Sequence, residues 1–480
     1  MNISDYVQYD GLGLAELVRK REASAVEILD AALAAIAAFN PALNAVIETF
    51  KPPINGNAKP DAPFLGVPFL LKDVGTSVNG VRHESGSRLG AGLVSDHDSA
   101  LARRIHAAGL QIVGRATSPE MAFNITTENR LHGPTRNPWN VAHAAGGSSG
   151  GAAAAVAAGM VPIAEANDGG GSIRIPAACC GLVGLKPSRG RISSAPDAGE
   201  YLNGLSCTHV VSRSLRDSAA MLDATAGAEP GDPYLLAQPR RPYQEEMARD
   251  PKRLRIAIAT RPWNEAAISP ECAQAATAAA NLCAELGHQV EEARPELGVS
   301  WDAFVEANAR IWCANIAPWV ESLSAATGRP ISPNFLEATT LACHAYGRAL
   351  SASDLLAALA VGNTVSRAVG AFFARFDVLI TPTLPQPPHR LGIYNADEAG
   401  LSALDWTHKL FAGTPFTPLC NVTGAPAISL PLAMSADNLP IGVQFIADVG
   451  REDTLFQLAG QIERAAPWAH RRPTFPFRLS

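Results

Sequence analysis

The chain has 480 residues, 47% of them apolar and 18% charged, so it can bury a large core without disulfides or a structural metal. Its formal charge of -6 comes from 39 basic and 45 acidic residues. Because these form no long blocks of like charge, the sequence argues against nucleic acid or a membrane as partner and favours a small neutral molecule.

The N-terminus lacks the basic and apolar regions of a secretory signal, and no run of 18 consecutive apolar residues is present, so we expect a cytoplasmic protein. The eight cysteines form no CxxC pair and lie in apolar surroundings, which predicts reduced, mostly buried thiols. The eleven histidines show no HExxH or comparable spacing. The sequence therefore predicts catalysis without a metal or organic cofactor.

Helical patterns occupy the first part of the chain, over residues 12–39. The second pattern opens at Ser24, whose spacing to Glu27 is that of a capping box, and we expect it to end before Asn40 and Pro41. The stretch 51–63 is rich in proline, glycine and polar residues. It predicts a surface loop before the first strand.

An alternation of strands and helices follows. The segment GVPFLLKDV predicts a buried strand, SALARRIHAAG a helix and LQIVGRA a second strand. The polar, proline-rich stretch 227–253 indicates a subdomain boundary or a long surface excursion, after which RLRIAIA starts a new alternation. The second half then predicts a helix over 270–286, a helical region over 301–376, and strands at DVLITPT, PAISLPL and GVQFIA.

A glycine and serine loop, AAGGSSGG, stands directly before the strong helix former AAAAVAAG. Its backbone N–H groups would point at a ligand, although a tight turn with an N-cap and a phosphate cradle are the alternatives. The loop also matches GxSxG, which would make Ser148 a nucleophile at a strand-to-helix turn. The residues before it argue against this, because Pro134, Pro138 and Asn140 interrupt the strand that such a turn follows.

A second glycine cluster, NDGGGSIRIPAACCG, contains three adjacent glycines and ends in a serine. The backbone N–H groups of Gly169, Gly170, Gly171 and Ser172 can converge on one small anion, as an oxyanion hole requires. Ser172 would then stand beside that hole as a candidate nucleophile.

A serine needs a neighbouring base to attack an amide, and no histidine lies in these motifs. Lys72 is the one cation in the apolar strand PFLLKDV, and burial would favour its neutral form. The alternative is that Lys72 pairs with Asp73 or another acid.

Lys72, GPTRNPWN, GGSSGG, DGGGSIRIPAACCGLVGLKPSRGR, NVTGAPAISLP and LPIGVQ together resemble the amidase signature family over essentially the whole chain. The resemblance implies an amide hydrolase in which Lys72 is the general base, Ser148 a bridging serine after a cis peptide bond, and Ser172 the nucleophile that carries the acyl group. It also implies that Ser149, Asp168 and Arg174 orient the serines and the glycine loop. Gly169 departs from many relatives, which carry a larger residue, and this predicts a more mobile loop or room for a wider acyl carbon.

The alternation and the resemblance together imply an α/β fold, with a mixed twisted sheet covered by helices. We expect a single domain, with a helical layer over about 1–60, the signature core over about 61–226, and a C-terminal half over about 254–480 that completes the sheet and pocket. A homodimer rests only on the habit of the family, because the sequence contains no heptad repeat or exposed apolar stripe.

The substrate pocket is expected around EMAFNITTENR, the helical region near Trp312 and LFAGTPFTPLCN. The residues predicted to line it are Met121, Phe123, Asn124, Trp312 and Cys313. NDGGGSIRIPA, TRNPWN and the C-terminal segment are similar to the nylon-oligomer branch of the family, the 6-aminohexanoate cyclic dimer hydrolases. This implies small apolar amides or cyclic amides, with anilides and carbamates as related substrates. The alternatives are a glutamine-hydrolysing amidotransferase subunit and a catalytically silent binding protein.

Overall fold

The computed structural model describes residues 1–51 and 59–474. Its strands are β1 (Val46–Thr49), β2 (Pro68–Lys72), β3 (Gln111–Ala116), β4 (Glu128–Asn129), β5 (Gly133–Pro134), β6 (Arg136–Asn137), β7 (Asn140–Ala144), β8 (Ile163–Asp168), β9 (Val183–Lys186), β10 (Cys207–Ser212), β11 (Arg255–Ile258), β12 (Gln289–Glu292), β13 (Val378–Pro382), β14 (Ala427–Met434) and β15 (Pro440–Ala447).

The helices are α1 (Ile3–Tyr6), α2 (Gly11–Lys20), α3 (Ala25–Leu43), α4 (Ala100–Ala107), α5 (Gly150–Ala157), α6 (Arg174–Cys180), α7 (Leu215–Thr225), α8 (Tyr243–Met247), α9 (Pro270–Glu285), α10 (Trp301–Thr327), α11 (Ala338–Ala349), α12 (Ala352–Phe373), α13 (Ala403–Gly413), α14 (Pro418–Thr423) and α15 (Glu452–Ala465). Two short 3₁₀ turns lie at Glu120–Ala122 and Leu202–Gly204.

Eleven strands form one mixed sheet, in the order β1-β3-β2-β8-β10-β9-β14-β15-β13-β11-β12. β2 runs parallel to β3 and to β8, whereas β8 and β10 are antiparallel. The antiparallel pair of β9 and β14 joins the strands that precede residues 227–253 to those that follow. The predicted α/β fold with a mixed sheet is therefore confirmed.

The core consists of apolar clusters on the helices and the strands they cover. α5 is buried along its whole length, and its alanines allow it to pack closely against α6 and β8. The alanine-rich segments in α3 and α5 are thus packed helices. All eight cysteines are free and buried, so their predicted burial is confirmed.

Two boundaries differ from the sequence predictions. α3 continues through Pro41 to Leu43, because the Asn40 side chain accepts the N–H groups of Ala45 and Val46 and so stabilises the exit of the chain. β1 precedes the proline-rich loop and pairs with β3 at the sheet edge, so that loop does not precede the first strand. Part of the predicted loop, residues 52–58, lies outside the described residues.

α3 and α12 are long and apolar enough, by length and composition, to cross a membrane. In this structure α3 buries Ile28, Ile36 and Phe39 in the core, and α12 packs against α10 and α14. Core packing accounts for the apolar residues on the buried face of α3, whereas only 22% of the apolar stretch of α12 is buried.

Candidate active site

Lys72 ends β2 and is buried, with 2% of its surface exposed. Its Nζ lies 2.7 Å from the Oγ of Ser148 and donates to the Oδ1 of Asn167. Burial lowers the pKa of Lys72 to about 7, because a low-dielectric environment disfavours the ammonium form. A substantial fraction of this amine is therefore neutral near neutral pH.

The alternative pairing of Lys72 with Asp73 is not found. The Asp73 carboxylate accepts hydrogen bonds from the backbone N–H groups of Glu84 and Gly86 and from the Arg115 guanidinium. Asp73 thus forms its ion pair with Arg115. The Lys72 amine forms its hydrogen bonds with Ser148 and Asn167.

Asn167 orients the Lys72 amine, and the sequence analysis did not identify it. Its Nδ2 donates to the backbone carbonyl of Val74 at 2.7 Å, which leaves Oδ1 facing Lys72. The Asn167 position in β8 is next to Asp168, so its place beside the DGGGS motif was the available signal.

Glu165, two residues earlier in β8, is a second buried group at this position that sequence reasoning missed. Its Oε2 accepts the backbone N–H of Lys72 at 3.0 Å, and its Oε1 accepts both N–H and O–H from Thr76. Burial raises the pKa of Glu165 to about 7. Glu165 therefore holds the backbone on both sides of the strand end rather than the lysine side chain.

Ser148 is fully buried and follows a cis peptide bond after Gly147. A Cβ at Gly147 would come within 2.6 Å of the backbone of Thr126, so only glycine fits there. The Thr127 hydroxyl donates to the carbonyl of Gly146 at 2.9 Å and fixes the loop from the same side. The preceding strand β7 pairs with β6 in a two-stranded hairpin outside the main sheet and bridges the segment at Arg390, unlike the strand that a nucleophile turn follows.

The glycine loop is organised by the carboxylate of Asp168. Asp168 accepts two hydrogen bonds from the Arg174 guanidinium, at 2.9 and 2.8 Å, and one from the backbone N–H of Gly171 at 2.7 Å. Burial acts to raise the pKa of Asp168, but the charge of Arg174 and hydrogen bonds from Arg174 and Asn421 outweigh it and lower the pKa to about 2. Asp168 is therefore ionised and holds the loop in shape.

This geometry corrects one member of the predicted oxyanion hole. The N–H of Gly171 is already donated to Asp168, and one proton cannot serve a second acceptor well. The N–H groups of Gly169, Gly170 and Ser172 make no hydrogen bond among the described residues. These three groups remain as candidate oxyanion donors.

Residues of the C-terminal half hold the loop from behind. The Asn421 amide donates to the carbonyl and the carboxylate of Asp168, at 2.9 and 2.8 Å. The Thr417 hydroxyl donates to the carbonyl of Gly170 at 2.7 Å, and Arg174 donates to the Gln444 side chain at 2.6 Å. The segment LFAGTPFTPLCN, predicted to line the pocket, thus supports the glycine loop instead.

Ser148 and Ser172 line the same cavity of about 520 Å³, which is within the size range of small-molecule sites. In the described geometry, no hydrogen bond joins the two hydroxyl groups directly. The Ser149 hydroxyl donates to the carbonyl of Asn167 at 3.3 Å, so this neighbouring serine is turned away from the cavity into the protein.

The cavity wall is mainly apolar and includes only part of the predicted pocket. Its apolar lining residues are Val74, Met121, Ala122, Leu202, Trp312, Pro318 and Trp319. Phe123 stacks on Trp312, with ring centroids 4.5 Å apart, and is not a lining residue. Asn124 donates to the carbonyl of Tyr394, and Cys313 is fully buried in a core cluster. The structure thus brings Met121 and Trp312 to the cavity, whereas Phe123, Asn124 and Cys313 support it from behind.

The prediction that Gly169 leaves room for a wider acyl carbon is wrong. A Cβ at this position would lie 2.8 Å from the Trp312 ring and 2.9 Å from Leu202. The volume that a larger residue would occupy is therefore filled by Trp312, and the glycine is required by that close packing.

One side-chain cluster among the described residues could offer ligands to a metal ion. Asp73, Glu84 and His132 have ligand atoms within 4.8 Å of one another. The Arg115 guanidinium donates to both carboxylates, so the positive charge that these acids need is already supplied by a side chain.

Comparisons with known proteins agree on a family. The amidase family model matches residues 27–456. A 6-aminohexanoate-cyclic-dimer hydrolase from Pseudomonas sp. (strain NK87) is 40% identical, and the alignment covers 97% of this chain and 96% of that protein. A solved structure of 6-aminohexanoate cyclic dimer hydrolase superposes with a TM-score of 0.90 at 38% identity, covering 98% of this chain and 99% of that one. A bacterial aryl acylamidase of the amidase signature family superposes with a TM-score of 0.83 at 26% identity, over 96% and 97% of the two chains.

Proposed function

Because this chain belongs to the amidase signature family and is an amide hydrolase by that membership, we propose that it cleaves small apolar and cyclic amides through an acyl-enzyme on Ser172. One observation carries the proposal, namely that the buried Lys72 amine contacts Ser148 in the cavity that also exposes Ser172. Anilides and carbamates are the related substrates, since the same attack on a carbonyl applies to them.

Lys72 acts as the base in this scheme. Its neutral amine accepts the Ser148 proton, while Asn167 accepts one of the lysine N–H groups and so turns the nitrogen lone pair toward Ser148. Ser148 in turn accepts the proton of Ser172, whose oxygen attacks the amide carbonyl. The relay requires the Ser172 hydroxyl to rotate into contact with Ser148, and catalytic hydrogen bonds commonly shorten in this way when substrate binds.

The attack forms a carbon–oxygen bond and places negative charge on the carbonyl oxygen. The N–H groups of Gly169, Gly170 and Ser172 are available to stabilise that charge, since Gly171 donates to Asp168. Collapse breaks the carbon–nitrogen bond, and the proton held by Lys72 returns through Ser148 to the leaving nitrogen. Water then enters, gives its proton to the same relay, and releases the acid from Ser172.

The substrate class rests on the cavity and on the relatives. The wall formed by Met121, Leu202, Trp312 and Trp319 suits an alkyl chain. The relatives named 6-aminohexanoate-cyclic-dimer hydrolase support cyclic amides of this kind, and the one named aryl acylamidase supports anilides. Two amide groups separated by methylene chains would place one amide at the serines and the chains against this wall.

Covalent labelling tests the nucleophile. We expect a fluorophosphonate to add one adduct, mapped by mass spectrometry to Ser172, and Lys72→Ala to abolish both labelling and turnover of cyclic and linear amides. Ser149→Ala is the matched control, because its hydroxyl is bound to a backbone carbonyl, and it should keep the adduct. An adduct on Ser148, or an unlabelled protein that binds amides without turnover, would refute the assigned roles.

A further inference from the structure

The cavity has a polar end that the proposed reaction does not use. Two loops enclose it, one after β2 and one before β10, and they contribute His83, Asp197, Glu200 and Tyr201 to the lining. The catalytic serines and Asn167 line the same cavity, and apolar side chains make up most of the remaining wall. A ligand can therefore react at the serines while its other end meets this polar group.

The charged side chains that line this end of the cavity are acidic. Asp197 and Glu200 are acidic, and neither lysine nor arginine is among the lining residues in the described part of the chain. His83 accepts the backbone N–H of Gly75 with its Nε2 at 3.2 Å, and burial lowers its pKa, so the ring is neutral. The cavity thus presents two carboxylates with no lining cation to balance them.

The contacts of Glu200 leave one of its carboxylate oxygens free to accept a hydrogen bond. Glu200 Oε2 accepts the Tyr234 hydroxyl at 2.6 Å, whereas Oε1 makes no hydrogen bond among the described residues. The nearby Arg189 donates to the carbonyls of Gly204, Asn421 and Val422 and forms no ion pair with Glu200 among these residues.

Asp197 also has a structural role. Its Oδ2 accepts the Ser77 hydroxyl at 3.0 Å, and its Oδ1 lies 2.5 Å from the Nε2 of His97. Asp197 thereby ties the two loops together across the cavity mouth. The partly exposed His97 lies beside Asp197, and hydrogen bonds to Asp96 and Asp197 raise the pKa of His97. In the described part of the chain, Glu200 forms no ion pair.

We propose that Asp197 and Glu200 form a cation-selective end of the substrate cavity, which takes amides with a distal ammonium or N–H donor group and rejects distal carboxylates. An ammonium ion would gain Coulomb attraction and hydrogen bonds in a partly desolvated cavity, and a carboxylate would meet repulsion there. This inference rests on the proposed function, because it names the substrate class for the same site.

Binding of a cation at this end would also affect the opening of a cyclic amide. When a cyclic amide is cleaved, the leaving nitrogen takes the relay proton but stays attached to the acyl group on Ser172. The alkyl amine takes up a further proton from solvent, since it is mostly protonated at neutral pH, and ionisation of the carboxylic acid released at the end returns one proton to solvent. An ammonium ion held at Asp197 and Glu200 has no lone pair for attack on the ester, so water rather than the tethered nitrogen completes the reaction.

Equilibrium binding tests the charge selection without requiring turnover. Calorimetry with hexylamine, hexan-1-ol and hexanoate is expected to give at least tenfold tighter binding of hexylammonium than of hexanoate. Glu200→Gln and Asp197→Asn should each weaken the amine several-fold and leave hexan-1-ol unchanged. Glu285→Gln is the charge-matched control, because Glu285 is exposed at the end of α9 and is not a lining residue, and it should keep the wild-type preference.

A set of p-nitroanilides extends the test to catalysis, using 6-aminohexanoyl, heptanoyl and adipoyl groups. We expect the aminohexanoyl compound to have the highest kcat/KM, with the difference residing in KM and lost in Glu200→Gln. Equal binding of hexylamine and hexanoate, or a preference that survives both substitutions, would overturn the inference. If Ser172 is labelled and the heptanoyl anilide is cleaved while this preference is absent, the proposed function stands and only the charge selection fails. If hexylamine is preferred over hexanoate but Ser172 is not labelled, the charge selection stands and the proposed function fails.

Discussion

Replacing Asn167 with aspartate would convert the neutral acceptor beside Lys72 into an anion. The Asn167 side-chain oxygen contacts Nζ of Lys72, and the pKa of that lysine is about 7. Opposite charges about 4 Å apart attract by about 4 kcal/mol at an effective dielectric constant near 20. At about 1.4 kcal/mol per pKa unit, Asn167→Asp would raise the pKa of Lys72 by up to about 3 units.

The direction of the effect on activity follows from the role proposed for Lys72 as the base. Lys72 accepts a proton only when it is neutral, and a raised pKa means that the neutral form appears only at higher pH. With a pKa near 10, the neutral fraction at pH 7 falls from about one half to about one in a thousand. We therefore expect kcat/KM to fall by roughly 500-fold at pH 7 and to recover toward pH 10.

The assay is a profile of kcat/KM against pH for wild type, Asn167→Asp and Asn167→Ala. The alanine variant removes the acceptor without adding charge, so its activity should fall while the midpoint of its acid limb does not rise. A purely structural role for Asn167 would lower activity by the same factor at every pH. If the aspartate profile matches the wild-type profile after scaling, the placement of the base at Lys72 is wrong.

Four further substitutions test neighbouring parts of the site. Lys72→Met should be inactive but more stable to urea by up to about 4 kcal/mol at pH 7, since folding no longer deprotonates an amine of ordinary pKa 10.5, and the gain should shrink as pH rises from 7 to 10.5. Gly169→Ala should lower kcat/KM by displacing Trp312, whereas Gly170→Ala, whose Cβ meets nothing within 4 Å, should keep most activity in the same anilide assay. Asp168→Asn should lower the free energy of unfolding by about 3–5 kcal/mol, measured by denaturation, because it leaves a buried guanidinium unpaired.

The sequence predicted those parts of the fold that depend on local pattern. The capping box at Ser24 and the buried strand ending at Lys72 both appear in the structure, because hydrophobic period and capping chemistry act over a few residues. The predicted end of α3 was wrong. The Asn40 side chain stabilises the turn by which the chain leaves the helix, and local helix propensity does not specify this contact.

The pocket was harder to predict because apolar residues look alike in sequence. Trp312 and Cys313 are neighbours on α10, and successive residues of a helix point about 100° apart. One of them therefore reaches the cavity while the other enters the core. Phe123 is likewise hidden by its stacking on Trp312, a contact between segments that are far apart in the chain.

The supports of the glycine loop show why the site cannot be read from the signature motifs alone. Asp168 accepts a hydrogen bond from Asn421, and Arg174 donates one to Gln444. Both partners lie beyond residue 400 in the chain. These contacts fix the glycine loop, whereas most of the cavity wall comes from α10, from the loops before β10 and after β2, and from the turn at Met121. Chemistry and substrate choice are thus carried by separate segments, so substitutions at Trp312 or Glu200 should change KM among amides more than they change reaction with a small fluorophosphonate at Ser172.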